Sequence, residues 1–250
     1  LLVEDDMASR AEALKLQIMA KRERWLENSD RGDADTCALW LPGTQPAADP
    51  LEGLIVDLFD IGCLLFGEYV QASGAVFNYY VDLRQIISDP NLFHRVLHAY
   101  ASQLQGLHFD RIAGIPYGSL PTATGLSLQL HKPLIYPRKE VKAHGARRLI
   151  EGDFDAGDRV VVVDDILITG GSVLEGIAKL ESSGLVVEDV VVFIDHGGDH
   201  DRQARERLAA AGYRCHSVLN IEQITTVLHR AGRLSDAQAA TLAPSPATQP

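Results

Sequence analysis

Two carboxylates stand side by side at Asp164 and Asp165, and shortly after them the chain reads Thr169-Gly170-Gly171-Ser172. The pair follows four valines, Val160 to Val163, a run that is β-branched throughout and too short for a buried helix, which predicts a buried strand. Beyond the glycines, Val173, Ile177 and Leu180 recur at helical spacing. The unit is a strand, an acidic pair, a glycine turn and a helix. Open α/β sheets bind ligands just outside the carboxyl ends of their strands. The free N–H groups of a glycine turn at a helix N-terminus attract phosphate. A P-loop lysine and a G-x-G-x-x-G are both missing, so neither common nucleotide motif applies. An anion cradle beside two acids suits a ligand that carries phosphate and hydroxyls together, as a phosphorylated sugar does. The plainer reading is a strand-turn-helix whose acids only cap and whose glycines only turn.

A second charged stretch complements the first. Between Ile135 and Val160 lies PRKEVKAHGARRLIEGDFDAGD, which has no apolar period and carries Arg138, Lys139, Lys142, His144, Arg147 and Arg148. A long irregular segment inside a domain is usually functional, often as a lid, and a basic lid suits a polyanionic substrate. The chain as a whole is acidic, with a net charge of −11, which argues against general binding to nucleic acid or an anionic membrane.

The elements that must position these residues alternate. Strands are predicted at 111–115, 133–136, 159–163, 187–194 and 214–219, and helices at 119–130, 172–183 and 200–211, which implies a parallel sheet covered on both faces. Before them, Asp49-Pro50 opens a helix predicted to run through LEGLIVDLFDIGCLLFGEY. A hairpin-like piece follows, with a turn at Ser73-Gly74 and a strand at 79–83, and Asp89-Pro90 caps another helix to about Gln105. Helices at 221–231 and 235–242 close the domain, taken as residues 49–242. Residues 1–48 read as a helical extension or linker, with Leu14, Ile18 and Trp25 on one face, and 243–250 as a disordered tail. Three widely spaced cysteines indicate neither a disulfide framework nor a zinc site, and no metal site built from side chains is expected. The acidic N-terminus lacks signal-peptide features and no apolar run is long enough to span a bilayer, so a cytoplasmic location is expected.

The strand-acid-glycine unit resembles the phosphoribosyl pyrophosphate (PRPP) motif of type I phosphoribosyltransferases. Arg138-Lys-Glu-Val-Lys-Ala-His-Gly145 resembles the R-K-E-x-K-x-H-G catalytic loop of orotate phosphoribosyltransferases. The likeness spans roughly Leu51 to Leu242 and includes YVDLR (Tyr80 to Arg84), Gly114-Ile-Pro-Tyr117 and AGRLS (Ala231 to Ser235). It implies a type I phosphoribosyltransferase fold with a mobile basic lid, transfer of phosphoribose from PRPP to orotate, Mg²⁺ bound mainly through PRPP, and a homodimer in which each lid covers the neighbour's site. By the same resemblance Lys142, assisted by Arg138, Lys139 and His144, neutralises the departing pyrophosphate. Asp164 and Asp165 hold the ribose hydroxyls, with Asp165 next to the reacting carbon. Thr169, Gly170, Gly171 and Ser172 bind the 5′-phosphate, Tyr117 flanks the pyrophosphate, and Tyr80 lies on the base side.

The base side departs from the family pattern. Ala72 stands where the family has the lysine of L-K-S-G, Ile168 stands at the threonine of D-D-V-I-T-x-G, His196 replaces the arginine of an Asp-Arg pair, and Phe77-Asn78 replaces S-P. Losing an arginine opposite a carboxylate costs about 2 kcal/mol or more in binding. The sequence therefore predicts retained PRPP binding and weakened, altered or lost orotate recognition. The alternatives to an orotate enzyme, once fused to a decarboxylase, are a transferase for a less acidic base and a non-catalytic PRPP-binding or structural protein.

Overall fold

The computed structural model describes residues 50–70, 76–139, 149–195 and 199–242. The predicted extension (1–48), the tail (243–250), Ala72, Lys142, His144 and His196 lie outside them, as does the Ser73-Gly74 turn.

The valine run forms the centre of β6 (Arg159–Leu167), which pairs in parallel with β3 (Arg111–Gly114) on one side and β7 (Val186–Asp195) on the other. Because successive strand residues point to opposite faces, Val160 and Val162 enter one apolar core while Val161 and Val163 enter another. β4 (Leu134–Pro137) adds beside β3 and β8 (Arg214–Asn220) beside β7, both parallel. The sheet order is β5-β4-β3-β6-β7-β8. Its one antiparallel member is the edge strand β5 (Ile150–Glu151), so the sheet is mixed rather than wholly parallel.

Helices cover both faces, as the alternation requires. On one lie α1 (Pro50–Asp60), α2 (Pro90–Leu104) and α6 (Ile221–Arg230), whose buried Leu54, Val96 and Leu228 join the core of Val161 and Val163. On the other lie α4 (Gly171–Ser182) and α5 (Asp199–Ala210), through Ile177, Leu180, Ala204 and Leu208. α3 (Leu120–Leu130) links β3 to β4, and α7 (Asp236–Leu242) ends the described chain. Asp89 caps α2 as the sequence indicates, accepting hydrogen bonds from the Asn91 and Leu92 amides at 2.9 and 3.1 Å.

The first helix is shorter than its apolar pattern predicts. It stops at Asp60, Gly62 takes φ 91°, and the chain turns into β1 (Leu64–Val70), which pairs antiparallel with β2 (Val76–Val81). The apolar residues after Gly62 bury against the core from a strand, and a run that is apolar at nearly every position fits either period. The predicted 79–83 strand is shifted: β2 ends at Val81, and Leu83–Ser88 form a 3-10 turn.

Candidate active site

The cleft opens where β6 outruns β3. Ile115 N–H still bonds the Val163 carbonyl at 3.0 Å, after which the chain leaves the sheet and Ser119, fully buried, donates to the Ile115 carbonyl at 2.5 Å. β6 continues alone on that edge through Asp164, Asp165, Ile166 and Leu167. These two walls, closed at one end by Thr169 to Val173, bound a cleft of about 320 Å³ lined also by Ile115, Pro116 and Gly118. The cleft thus gathers the predicted Asp164, Asp165, Ile168, Thr169, Gly170, Gly171 and Ser172.

Asp164 is buried and Asp165 half-buried where the sheet would otherwise be apolar. Asp164 is 7% exposed and accepts from the Asp165 amide at 3.0 Å; Asp165 accepts from the Ile166 amide at 2.8 Å. Burial, then the neighbouring Asp165 charge, holds the Asp164 carboxyl well above the usual carboxylate range, and burial also raises Asp165. Two close carboxylates resist ionising together, so the pair favours keeping a proton. A ligand that donates hydroxyls or develops positive charge reverses that preference.

The turn is set by Gly170, which takes φ 72° as the cap of α4, a left-handed conformation that costs other residues free energy. Gly170 has no side chain to cap the helix, and the Gly171 amide makes only a long hydrogen bond of 3.5 Å to Thr169 Oγ1, so the first turn of α4 lines the cleft with weakly occupied N–H groups. Together with the helix dipole they form a site for an anion.

Among the described residues, the predicted Arg138, Lys139, Tyr117 and Tyr80 lie around the cleft rather than in it. Tyr117 is 66% exposed on the loop after β3, and the Lys139 ammonium stands 5.5 Å from its ring centroid. Arg138 pairs with Glu151 across the β4–β5 ladder. Tyr80, on β2, accepts a hydrogen bond from Arg84 at 3.1 Å and packs on Tyr69 with ring centroids 5.4 Å apart. None of these four lines the cleft.

Three contributors escape sequence reasoning. Lys179, on α4, donates to the Arg138 carbonyl at 2.9 Å and to Glu175 at 2.7 Å, fixing the foot of the basic segment. Gly118 gives the Asp165 carboxylate its room. Tyr100, on α2, donates to the backbone carbonyl of Asp164 at 2.7 Å. The first carries a faint signal, a lysine four residues after a glutamate; the others carry none.

Similarity to known proteins agrees with this geometry. The family model described as the phosphoribosyl transferase domain matches residues 85–223, more than half of the chain. The bifunctional enzyme PyrF/PyrE of Nostoc sp. is 53% identical over 236 residues, which is 94% of this chain and 49% of that one. The chain therefore spans about half the length of that relative. The orotate phosphoribosyltransferase of Pyrobaculum aerophilum is 45% identical over 144 residues, covering 58% of this chain and 75% of its own. The crystal structure of the Aeropyrum pernix orotate phosphoribosyltransferase superposes with a TM-score of 0.63 at 34% identity, over 73% of this chain and 99% of that one. With the sheet, the paired acids and the glycine turn in place, the fold is that of a type I phosphoribosyltransferase, and the chain belongs to the orotate phosphoribosyltransferase family.

Proposed function

We propose that this chain transfers the phosphoribosyl group of PRPP to orotate, releasing pyrophosphate, as a step of pyrimidine nucleotide synthesis. The observation that carries the reading is the continuous placement of Asp164, Asp165 and the Thr169–Ser172 turn along one cleft. The 5′-phosphate sits on the turn and the amides of α4; the acids accept hydrogen bonds from the ribose hydroxyls. The C1–O bond to pyrophosphate breaks with its electron pair leaving on the pyrophosphate, N1 of the base bonds to C1, and the N1 proton is released. The sugar passes through an oxocarbenium-like state, and the two carboxylates, costly while buried alone, stabilise that positive charge. Lys142 is the principal group that neutralises the leaving pyrophosphate, with Lys139, His144 and Arg138 around it.

Among the described residues no group of three or more His, Cys, Asp or Glu side chains is arranged to hold a metal. The two carboxylates at the cleft, Asp164 and Asp165, suit an ion carried in on its substrate. Mg²⁺ keeps waters and phosphate oxygens as ligands, so it is held mainly by PRPP, whose ribose hydroxyls Asp164 and Asp165 grip. When bound it offsets the charge of the pyrophosphate. The active form in this reading is a cytoplasmic homodimer with the 138–148 segment reaching the neighbouring site, residues 49–242 forming the catalytic domain and residues 1–48 and 243–250 flanking it.

A second reading, transfer to a less acidic base, is favoured by one observation: Ile168 lines the cleft, and no lysine, arginine or histidine does so among the described residues. Loss of orotate absorbance in the presence of PRPP and Mg²⁺, with Lys142→Ala as control, tests the first reading. Turnover abolished by that substitution supports it. Calorimetric binding of PRPP without any turnover of orotate overturns it, favouring the second reading if pyrophosphate is released with a less acidic base and a non-catalytic PRPP-binding protein if it is not.

A further inference from the structure

Tyr100 is a titratable group buried to 1% exposure that the reaction does not touch. Its ring stacks on Phe193 with centroids 5.4 Å apart and planes 25° from parallel, so packing alone would be met by phenylalanine. The hydroxyl is the unexplained part. It donates to the Asp164 backbone carbonyl at 2.7 Å, while the ring rests on Phe193 of the next strand. In the β6–β7 register Asp164 faces Val192, the residue before Phe193. In a parallel ladder, that register sets the Asp164 carbonyl opposite the Phe193 amide. One side chain from α2 therefore grips both strands at the point where the acids leave the sheet. The same ring, with Phe193 and Asp165, lines a second cleft of about 240 Å³ beside the first, so Asp165 stands in a thin wall that Tyr100 helps to form.

The geometry points to Tyr100 as a positioning residue that sets, through its hydroxyl, where Asp164 and Asp165 present their carboxylates to the sugar. This rests on the phosphoribosyl transfer reading for its catalytic consequence, though not for its structural one. The hydroxyl fixes a backbone atom of Asp164 and touches neither carboxylate directly. Removing it leaves the core filled and frees the strand end to drift. Because displacements of about an ångström in a reacting constellation change rates by up to about a hundredfold, the effect falls on turnover rather than on substrate capture.

The test compares Tyr100→Phe and Tyr100→Leu with the native chain. Tyr100→Phe is expected to melt within about 3 °C of the native protein, to lose about tenfold in kcat with KM for PRPP changed less than about threefold, and to move the ¹³C carboxyl resonances of Asp164 and Asp165 in the ligand-free protein. Tyr100→Leu adds a large loss of melting temperature. Unchanged carboxyl resonances and kcat in Tyr100→Phe would overturn the proposal and leave Tyr100 a packing residue. A native protein that neither binds PRPP nor turns over overturns the functional reading instead, and the carboxyl resonances of the ligand-free variants still decide the positioning role.

Discussion

Gly118 and Asp165 touch across the cleft: a methyl group on the Gly118 α-carbon would lie 2.5 Å from Asp165 Oδ2 and 3.3 Å from its Cγ. The loop after β3 and the end of β6 thus approach as closely as two backbones bearing one carboxylate allow. Gly118→Ala is expected to push the Asp165 side chain from its place and lower kcat/KM for PRPP by about a hundredfold, while far-ultraviolet circular dichroism stays that of the native fold. Kinetics within about threefold of native would show that the carboxylate has room to spare.

Asp164 carries a carboxylate where burial opposes its charge. Its folded-state pKa is raised, first by burial and then by Asp165, so any stability tied to its proton is present below the unfolded-state pKa of about 3.9 and lost as pH rises through the folded value. Asp164→Asn removes the charge and keeps the shape. At pH 7 it is expected to be more stable than the native chain by about 1 kcal/mol, with the advantage vanishing below about pH 4, and to have almost no activity. Melting curves across pH, paired with the orotate assay, check both parts.

Gly170 holds φ 72° and its missing side chain faces Ala204 Cβ at 3.4 Å. Gly170→Ala should cost about 1–2 kcal/mol for the left-handed backbone. It should also turn the first amides of α4 away from the phosphate, raising the Kd for PRPP about tenfold or more. Titration calorimetry measures the second effect and chemical denaturation the first.

At the opposite end of the sheet, Asp189 is 4% exposed and accepts from Arg214 at 2.8 and 2.7 Å and from His216 at 2.8 Å. The Arg214 guanidinium, and less strongly His216, hold its carboxyl below the usual range. With a depressed folded pKa, its stabilisation is present above the unfolded value and lost as pH falls through the folded one. Asp189→Asn should therefore destabilise by about 2–4 kcal/mol at neutral pH and progressively less in acid, with kcat within about twofold of native. Equal destabilisation at pH 3 and pH 7 would contradict this.

Much of the sheet was legible because its signal is local. Four valines, an acidic pair and a glycine turn specify β6, the cleft floor and α4 within one continuous stretch, and the alternation around them specifies the parallel order. The end of α1 was not legible, since the apolar run through Gly62 fits both periods and only pairing with β2 decides for a strand. β5 has two residues and no pattern to detect. Tyr100 and Gly118 matter through partners 64 and 47 positions away, Asp164 and Asp165 respectively, and nothing in a helix tyrosine or a loop glycine announces such a partner.

The small β4–β5 ladder has a mechanical meaning for the basic segment. The Arg138 amide bonds the Leu149 carbonyl at 2.8 Å, the Arg138 side chain meets Glu151, and Lys179 grips the Arg138 carbonyl. Both ends of the intervening stretch are thus moored to the same corner of the sheet. A chain extends at most about 3.6 Å per residue, so the α-carbon of Lys142, four residues beyond Arg138, lies within roughly 14 Å of that mooring. The ladder sets the length of a leash, and in the proposed reaction the pyrophosphate must come within that length plus the reach of a lysine side chain.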